Sequence, residues 1–125
     1  MSYRHKFRSD YELQVAKYLA DQGVKYEYEK QKISYQPKPK VYTPDFYLPE
    51  QDIYIEAKGF FSPADRQKML LVIKQNMFLD IRMLFLRASN KLNRSSKTTY
   101  GSWCDKHGIL WADKQIPLEW LEKKA

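Results

Sequence analysis

The stretch that decides the fold is YTPDFYLPEQDIYIEAKG, residues 42–59. Apolar and polar residues alternate on both sides of a central turn at 49–52, which a proline opens. This alternation is typical of two strands that share one buried face. It predicts an antiparallel hairpin in which Leu48 pairs with Ile53 and Phe46 pairs with Ile55. The same register turns Ala57 towards the apolar face and therefore into the core of the domain.

The opposite face of this hairpin carries Asp45, Glu56 and Lys58. Side chains directly opposed in an antiparallel pair have Cβ atoms about 5 Å apart, and Lys58 lies roughly 7 Å further along its strand. Two carboxylates that close can share a hard cation such as Mg²⁺, and a nearby ammonium can hold a water. The pattern therefore predicts a catalytic metal site. The alternative is a solvated hairpin face with a Glu–Lys ion pair.

Length and composition restrict the possible classes of protein. A chain of 125 residues is of the size of one domain. No run approaches the roughly 18 apolar residues of a membrane span, no apolar signal segment follows the basic N-terminus, and Cys104 is the one cysteine. A lone cysteine suits a reducing compartment, so we expect a cytoplasmic protein without a membrane partner.

The charge of the chain predicts an anionic partner. The formal net charge is +7, from 22 basic and 15 acidic residues. Basic residues are concentrated in two stretches free of acidic residues, and a further arginine lies next to the first helix. The predicted DNA contacts are Lys30, Lys32, Lys38 and Lys40 of the first stretch, Arg87, Lys91, Arg94 and Lys97 of the second, and Arg8. Basic residues mixed with small polar ones suit phosphate contacts. The alternative is a basic surface that only favours solubility.

The order of predicted elements indicates an α/β fold. Caps, prolines and apolar periodicity predict helices at 10–22, 63–75 and 99–106 and a terminal helical turn at 117–121. They also predict strands at 24–29, 42–48, 53–59, 80–86 and 109–112, and the alternation leaves open whether the first of these continues to residue 35. The strand at 80–86 is apolar throughout, so we expect both of its faces to be covered. Two prolines make 36–40 a stiff extended connector. The result is a mixed β-sheet flanked by helices.

Glu12 has two interpretations. Ser9-x-x-Glu12 is a capping-box pattern, in which the glutamate returns to the amide of the cap residue. Its functional interpretation is a further acidic ligand for a metal ion or water, because it borders the apolar stripe of the first helix. The spacing by itself leaves both open.

Several motifs together resemble a known family. They are Phe7-Arg-Ser-x-x-Glu12, Tyr42-Thr-Pro-Asp-Phe46, Glu56-x-Lys58-Gly59, Tyr100-Gly101, Cys104-x-Lys-His-Gly-Ile109 and Ala112-Asp-Lys-x-Ile-Pro-x-Glu-Trp120. In this order they resemble the phage endonuclease I family, whose members resolve four-way (Holliday) DNA junctions with a PD-(D/E)xK nuclease core. The resemblance covers most of the chain, from about Phe7 to Trp120.

The resemblance implies roles for individual residues. Asp45 and Glu56 would bind Mg²⁺, which Mn²⁺ could replace, with the backbone carbonyl of Ala57 as an added ligand. Lys58 would position the attacking water. Glu12 matches the family's fourth catalytic acid and would contribute to the metal site.

The resemblance also implies an assembly and an activity. The expected assembly is an element-exchanged homodimer, in which residues 9–35 pack into the partner, residues 36–40 form the bridge, and Glu12 serves the partner's site. The expected activity is metal-dependent hydrolysis of branched DNA, in the host cytoplasm if the protein is phage-encoded. The alternatives are another PD-(D/E)xK DNA endonuclease, of the sequence-specific or transposon-end type, and a non-catalytic module that binds DNA structures.

Overall fold

The computed structural model describes residues 7–35 and 40–124, and the element bounds below refer to these residues. The helices are α1 (Asp10–Asp21), α2 (Pro63–Gln75), α3 (Tyr100–Lys106) and a terminal 3-10 helix (Leu118–Leu121). The strands are β1 (Glu27–Tyr28), β2 (Ile33–Tyr35), β3 (Lys40–Tyr42), β4 (Phe46–Leu48), β5 (Ile53–Lys58), β6 (Ile81–Phe85) and β7 (Trp111–Asp113). Within the described parts of the chain, no helix is long and apolar enough to cross a membrane.

The main sheet is mixed, as the sequence predicts. Its strand order is β1-β4-β5-β6-β7, and β2 pairs with β3 in a separate two-stranded sheet. Strand β4 runs antiparallel to both β1 and β5, whereas β5, β6 and β7 run parallel to one another. Helices α2 and α3 connect the successive parallel strands, which is the usual way to join strands of the same direction. Strand β5 is therefore the central strand of the sheet.

The hairpin of β4 and β5 has the predicted register. Leu48 pairs with Ile53 and Phe46 pairs with Ile55. These four side chains and Ala57 are buried together in one apolar cluster. Because side chains alternate across a strand, Glu56 and Lys58 lie on the other face of β5, on the side of the sheet that α2 covers.

The two faces of the sheet are buried against different helices. Apolar residues of α1, including Leu19, pack with the hairpin cluster and with Leu84 of β6. Residues of α2 and α3 pack on the opposite face with Met83 and Phe85 of β6. The prediction that β6 is covered on both faces is therefore confirmed. Burial of this kind contributes roughly 25 cal/mol for each Å² of apolar surface removed from water.

The helix boundaries follow local signals that the sequence shows. The Ser9 hydroxyl accepts from the Glu12 amide at the start of α1, and Gly23 adopts a φ of 67° just after its end. Ser62 and Asp65 form a reciprocal capping box at the start of α2. These caps satisfy amides that the first turn of a helix leaves without partners, so both helices begin where the sequence predicts.

Three predicted strands differ in the structure. The strand predicted at 24–29 is present as the short β1, but a continuation to residue 35 is wrong, because Glu29 adopts a φ of 50° and separates β1 from β2. Strand β7 begins at Trp111 rather than at Ile109, because the Ile109 amide donates to the carbonyl of Cys104 and completes the end of α3. The strand predicted at 42–48 is divided: residue 42 ends the separate strand β3, and β4 begins at Phe46.

The element exchange stays a prediction. In the single chain, α1 packs on the sheet of its own chain, and β2 pairs with β3 on either side of residues 36–39. Those residues, with the predicted DNA contact Lys38, lie outside the described part of the chain. The same contacts would form if α1 and β2 came from a second copy.

Candidate active site

A cavity of about 420 Å³ brings together the four predicted catalytic residues. It lies at the end of β5, beside the start of α2. Its lining residues are Arg8, Ser9, Glu12, Thr43, Asp45, Glu56, Ala57, Lys58, Asp65 and Lys68. Four of these side chains are carboxylates, and we call the site the acidic cavity. The residues come from the loop before β4, from β5, from the first turn of α1 and the two residues before it, and from the first two turns of α2.

Asp45 and Glu56 are almost fully buried, with 8% and 4% of their surface exposed. The Ala57 amide donates to Asp45 Oδ2 over 2.9 Å, and the Asp45 amide donates to Glu56 Oε1 over 3.3 Å. The buried Tyr42 hydroxyl donates to the same Glu56 oxygen over 2.7 Å. These donors hold the two carboxylates side by side in a fixed orientation.

Both carboxylates are harder to ionise than free ones. Burial raises the pKa of Asp45, and the negative charge of Glu56 and a hydrogen bond with Glu12 raise it further. Burial also raises the pKa of Glu56, although the charge of Lys58, the Tyr42 hydroxyl and the charge of Lys68 oppose the rise. Buried carboxylates close to one another favour a bound cation, since it offsets their mutual repulsion.

Lys58 is held between two carboxylates. Its ammonium lies 3.4 Å from Glu56 Oε2 and 3.5 Å from Asp65 Oδ1. Burial lowers the pKa of Lys58, but the charges of Glu56 and Asp65 outweigh this effect and raise it above the ordinary value. Asp65 is itself positioned by the Ser62 amide, which donates to Oδ2 over 3.2 Å. Lys58 therefore stays charged at the edge of the cavity.

Glu12 faces the acidic cavity from α1 and is 7% exposed. Its Oε1 accepts from the Arg8 amide over 2.8 Å and from the Tyr28 hydroxyl over 2.7 Å. The capping-box interpretation of Glu12 does not hold. A capping box requires the Glu12 carboxylate to accept from the amide of the cap residue Ser9, whereas it accepts from the Arg8 amide. Glu12 is therefore fixed at the cavity by one donor from the segment before α1 and one from β1.

The donor set fits a hard divalent cation whose coordination shell is completed by other oxygen atoms. Within residues 7–35 and 40–124, no three His, Cys, Asp or Glu side chains are grouped to hold a metal ion by themselves. Asp45 and Glu56 form a carboxylate pair, and Ala57, the predicted carbonyl ligand, lines the same cavity. Mg²⁺ in nucleotide and phosphate sites takes one or two carboxylates together with water and phosphate oxygens. The pair is of that kind.

The predicted DNA contacts are spread over the surface. The eight that the structure describes are exposed: Arg8, Lys30, Lys32, Lys40, Arg87, Lys91, Arg94 and Lys97. Arg8 lines the acidic cavity, where its guanidinium lies 3.0 Å from Glu29, and Lys40 lines a neighbouring groove. Exposure is required for phosphate contacts, but it does not distinguish them from basic surface that only favours solubility. The set stays a prediction.

Sequence reasoning missed three residues of the site. Tyr42 holds Glu56, Asp65 contacts Lys58, and Lys68 lines the acidic cavity. Asp65 and Lys68 are three residues apart, so they lie on one side of α2. That spacing is visible in the sequence. The contact of α2 with the end of β5 is not, because it depends on how the helix packs on the sheet.

Asp45→Asn is expected to stabilise the cation-free protein, and more so as the pH rises. Below the ordinary pKa of an aspartate, Asp45 is protonated in both the folded and the unfolded protein, so it does not lower the free energy of unfolding. Above it the unfolded chain ionises first, so the raised pKa in the folded state makes ionisation cost stability. In thermal unfolding with EDTA, the melting temperature of the variant should be about 5 °C higher than that of the unmodified protein at pH 8. At pH 4 the difference should be much smaller. Glu122→Gln, at an exposed carboxylate, is the control. A constant difference across this range would contradict the expectation.

The chain is similar to known proteins over most of its length. The family model described as Phage endonuclease I matches residues 1–125. The chain is 45% identical to "Endonuclease I" of Escherichia phage T7 over 119 residues, which are 94% of this chain and 79% of that protein. It is 47% identical to "Endodeoxyribonuclease 1" of Enterobacteria phage T3 over 114 residues, which are 90% of this chain and 74% of that protein. The fold, the carboxylate pair with its lysine, and these matches lead to one conclusion: the chain belongs to the phage endonuclease I family.

Proposed function

We propose that this chain is an endodeoxyribonuclease that resolves four-way junctions and other branched DNA by metal-dependent phosphodiester hydrolysis. The observation that carries the proposal is the convergence of Glu12, Asp45, Glu56 and Lys58 on one cavity. Family membership supports nuclease chemistry, and the names of the two phage relatives support DNA as the substrate. The geometry of the site accounts for the role of each residue.

Asp45, Glu56 and the Ala57 carbonyl would hold Mg²⁺, or Mn²⁺ in its place. The bound ion would polarise the scissile phosphate and lower the pKa of a water. The protein's part is to fix the two carboxylates before the substrate arrives, through the Tyr42 hydroxyl and the Ala57 amide. Preorganised groups of this kind need no rearrangement during the reaction.

Lys58 would act at the attacking water and at the charge that develops on the phosphorus centre. Its ammonium remains charged because Glu56 and Asp65 lie within 3.4 and 3.5 Å. A fixed positive charge beside a pentavalent phosphate stabilises the additional negative charge. Glu12, oriented by Arg8 and Tyr28, would add the further acidic group at the mouth of the cavity.

Recognition of branched DNA would rest on shape and on phosphates. The net charge of +7 favours a polyanion, and the described basic residues are exposed. A homodimer would present two acidic cavities, related by a two-fold axis, to a junction with approximate two-fold symmetry. Exchange of α1 between the chains would place each Glu12 beside the partner's carboxylate pair.

Removal of single charges at the acidic cavity should abolish cleavage and spare binding. We expect Asp45→Asn, Glu56→Gln and Lys58→Ala each to reduce cleavage of a fixed four-way junction in Mg²⁺ by at least about 100-fold, with binding in gel-shift assays largely unchanged. Asp52→Asn, in the turn of the same hairpin, is the matched control. Cleavage by Asp45→Asn at a rate close to that of the unmodified protein would show that the site is assigned incorrectly.

The second prediction concerns the substrate. A four-way junction should bind at least about 100-fold more tightly than linear duplex of the same sequence, a difference of roughly 2.7 kcal/mol. Affinity should fall steeply with salt, because phosphate contacts release counterions. A competition gel at moderate salt measures both. Equal affinity for the two DNAs would favour a different DNA endonuclease, and binding without cleavage in Mg²⁺ would favour a non-catalytic module.

The third prediction concerns the assembly and uses a mixture of two inactive variants, Glu12→Ala and Asp45→Ala, refolded together. If each site combines Glu12 of one chain with Asp45 of the other, the mixed dimer has one intact site and one site with both lesions. It should then nick one strand of a junction. If each site comes from a single chain, both sites are damaged and no cleavage returns. A monomeric mass in light scattering at micromolar concentration would also oppose the shared site.

A further inference from the structure

Lys68 lies next to the groups that support the carboxylate pair. It is in the second turn of α2, and its ammonium is 5.7 Å from the centroid of the Tyr42 ring. The hydroxyl of that same ring donates to Glu56 over 2.7 Å. An ammonium over the face of an aromatic ring is attracted to it without using its hydrogen-bond donors. Lys68 is therefore held at the acidic cavity with its three N–H groups available.

Lys68 differs from the other two cations of the acidic cavity. Lys58 lies between Glu56 and Asp65, and Arg8 is paired with Glu29. Lys68, by contrast, forms neither a hydrogen bond nor an ion pair with any of the described residues. An ammonium carries three N–H donors and no acceptor, so the donors of Lys68 are open to water or to an anionic ligand. Lys68 lies within electrostatic reach of Glu56 and Asp65, yet its N–H groups remain available to a ligand that enters the cavity.

A second depression, of about 350 Å³, begins where Lys68 lies. We call it the α2 groove, and its lining residues are Tyr35, Lys40, Ala64, Asp65, Gln67, Lys68 and Leu71. Asp65 and Lys68 line both the groove and the acidic cavity. The groove therefore continues the cavity along α2 towards the β2–β3 pair, and it has a second lysine, Lys40, in its wall.

Asp65 does not make the α2 groove unfavourable for an anion. One of its carboxylate oxygens lies 3.5 Å from the Lys58 ammonium, and the other accepts from the Ser62 amide. Its charge is thus held mainly by Lys58 and the Ser62 amide, and Lys68 of the groove also lies within electrostatic reach of it. The charges of Lys40 and Lys68 then dominate there, and a phosphodiester backbone is the anion that the proposed function brings to this place.

We propose that Lys68 binds the phosphate adjacent to the scissile phosphate, and that the α2 groove holds the strand on that side with Lys40 as its second cation. The inference rests on the proposed function and names a contact within it. A contact with a phosphate that does not react is equally strong in the ground state and the transition state. Its loss should therefore raise KM by a larger factor than it lowers kcat, although the charge of Lys68 also acts on Glu56.

The first experiment compares Lys68→Gln with Lys74→Gln, which removes one charge from an exposed position of the same helix. For a fixed four-way junction, Lys68→Gln should raise Kd and KM about 5- to 10-fold, lower kcat by a smaller factor, and reduce the slope of log K against log salt by about one. Lys74→Gln should change none of these by more than about twofold. Lys68→Arg, which keeps the charge, should retain the slope.

The second experiment tests which phosphate Lys68 contacts. Junctions with a single neutral methylphosphonate at each position flanking the cleavage site are bound by the unmodified protein, Lys68→Gln and Lys74→Gln. At one position next to the cleavage site, neutralising the phosphate should weaken binding by the unmodified protein and by Lys74→Gln about 5-fold or more. The same change should weaken binding by Lys68→Gln very little, because that variant has already lost the contact. Equal losses in all three proteins at every position would overturn the proposal, as would a fall in kcat with Kd unchanged.

Failure of this inference is separable from failure of the proposed function. If the unmodified protein cleaves the junction and Lys68→Gln matches Lys74→Gln in Kd, KM and salt slope, the Lys68 contact is refuted and the nuclease function stands. If the unmodified protein neither binds nor cleaves any DNA in Mg²⁺, the proposed function falls, and the phosphate contact falls with it.

Discussion

The burial of two carboxylates side by side on the hairpin is the constraint on which the rest of the site depends. Asp45 and Glu56 are almost removed from water, and ionised carboxylates tolerate that only when hydrogen bonds and opposite charges surround them. The Tyr42 hydroxyl, the Ala57 amide and the Lys58 ammonium supply these contacts. The compensation is partial, since the pKa of both acids remains raised. An arrangement that costs stability in the free protein is typical of a functional site.

The apolar core provides the rigidity that this arrangement requires. Strand β5 lies between β4 and β6 in the centre of the main sheet. Its side chains at Ile53 and Ile55 are buried beneath α1, which fixes the strand and turns Glu56 to the opposite face. Because close-packed cores deform little, the separation between the two acids is set by backbone pairing rather than by flexible side chains.

The cations at the acidic cavity have different environments and hence different proposed tasks. Lys58 is held by two carboxylates at the reacting centre, where a fixed charge stabilises a developing one. Lys68 rests on the Tyr42 ring at the boundary with the α2 groove. One aromatic residue thus links the two parts of the site, because its hydroxyl orients Glu56 and its face holds Lys68.

The sequence by itself determined the local geometry of this protein. A period of two residues around the turn at 49–52 specified the hairpin register and placed Asp45, Glu56 and Lys58 on the face opposite the apolar side chains of Phe46 and Ile55, because side chains alternate along a strand. Cap residues specified the starts of α1 and α2 for an equally local reason. The motifs from Phe7 to Trp120 indicated the family, which the matches confirm.

Only the tertiary structure decided the contacts between distant segments: Tyr28 with Glu12, Asp65 with Lys58, and Lys68 with Tyr42. It also decided the break at Glu29 between β1 and β2. These features depend on how helices pack against the sheet, and a pattern of neighbouring residues carries no information about the distance between elements far apart in the chain.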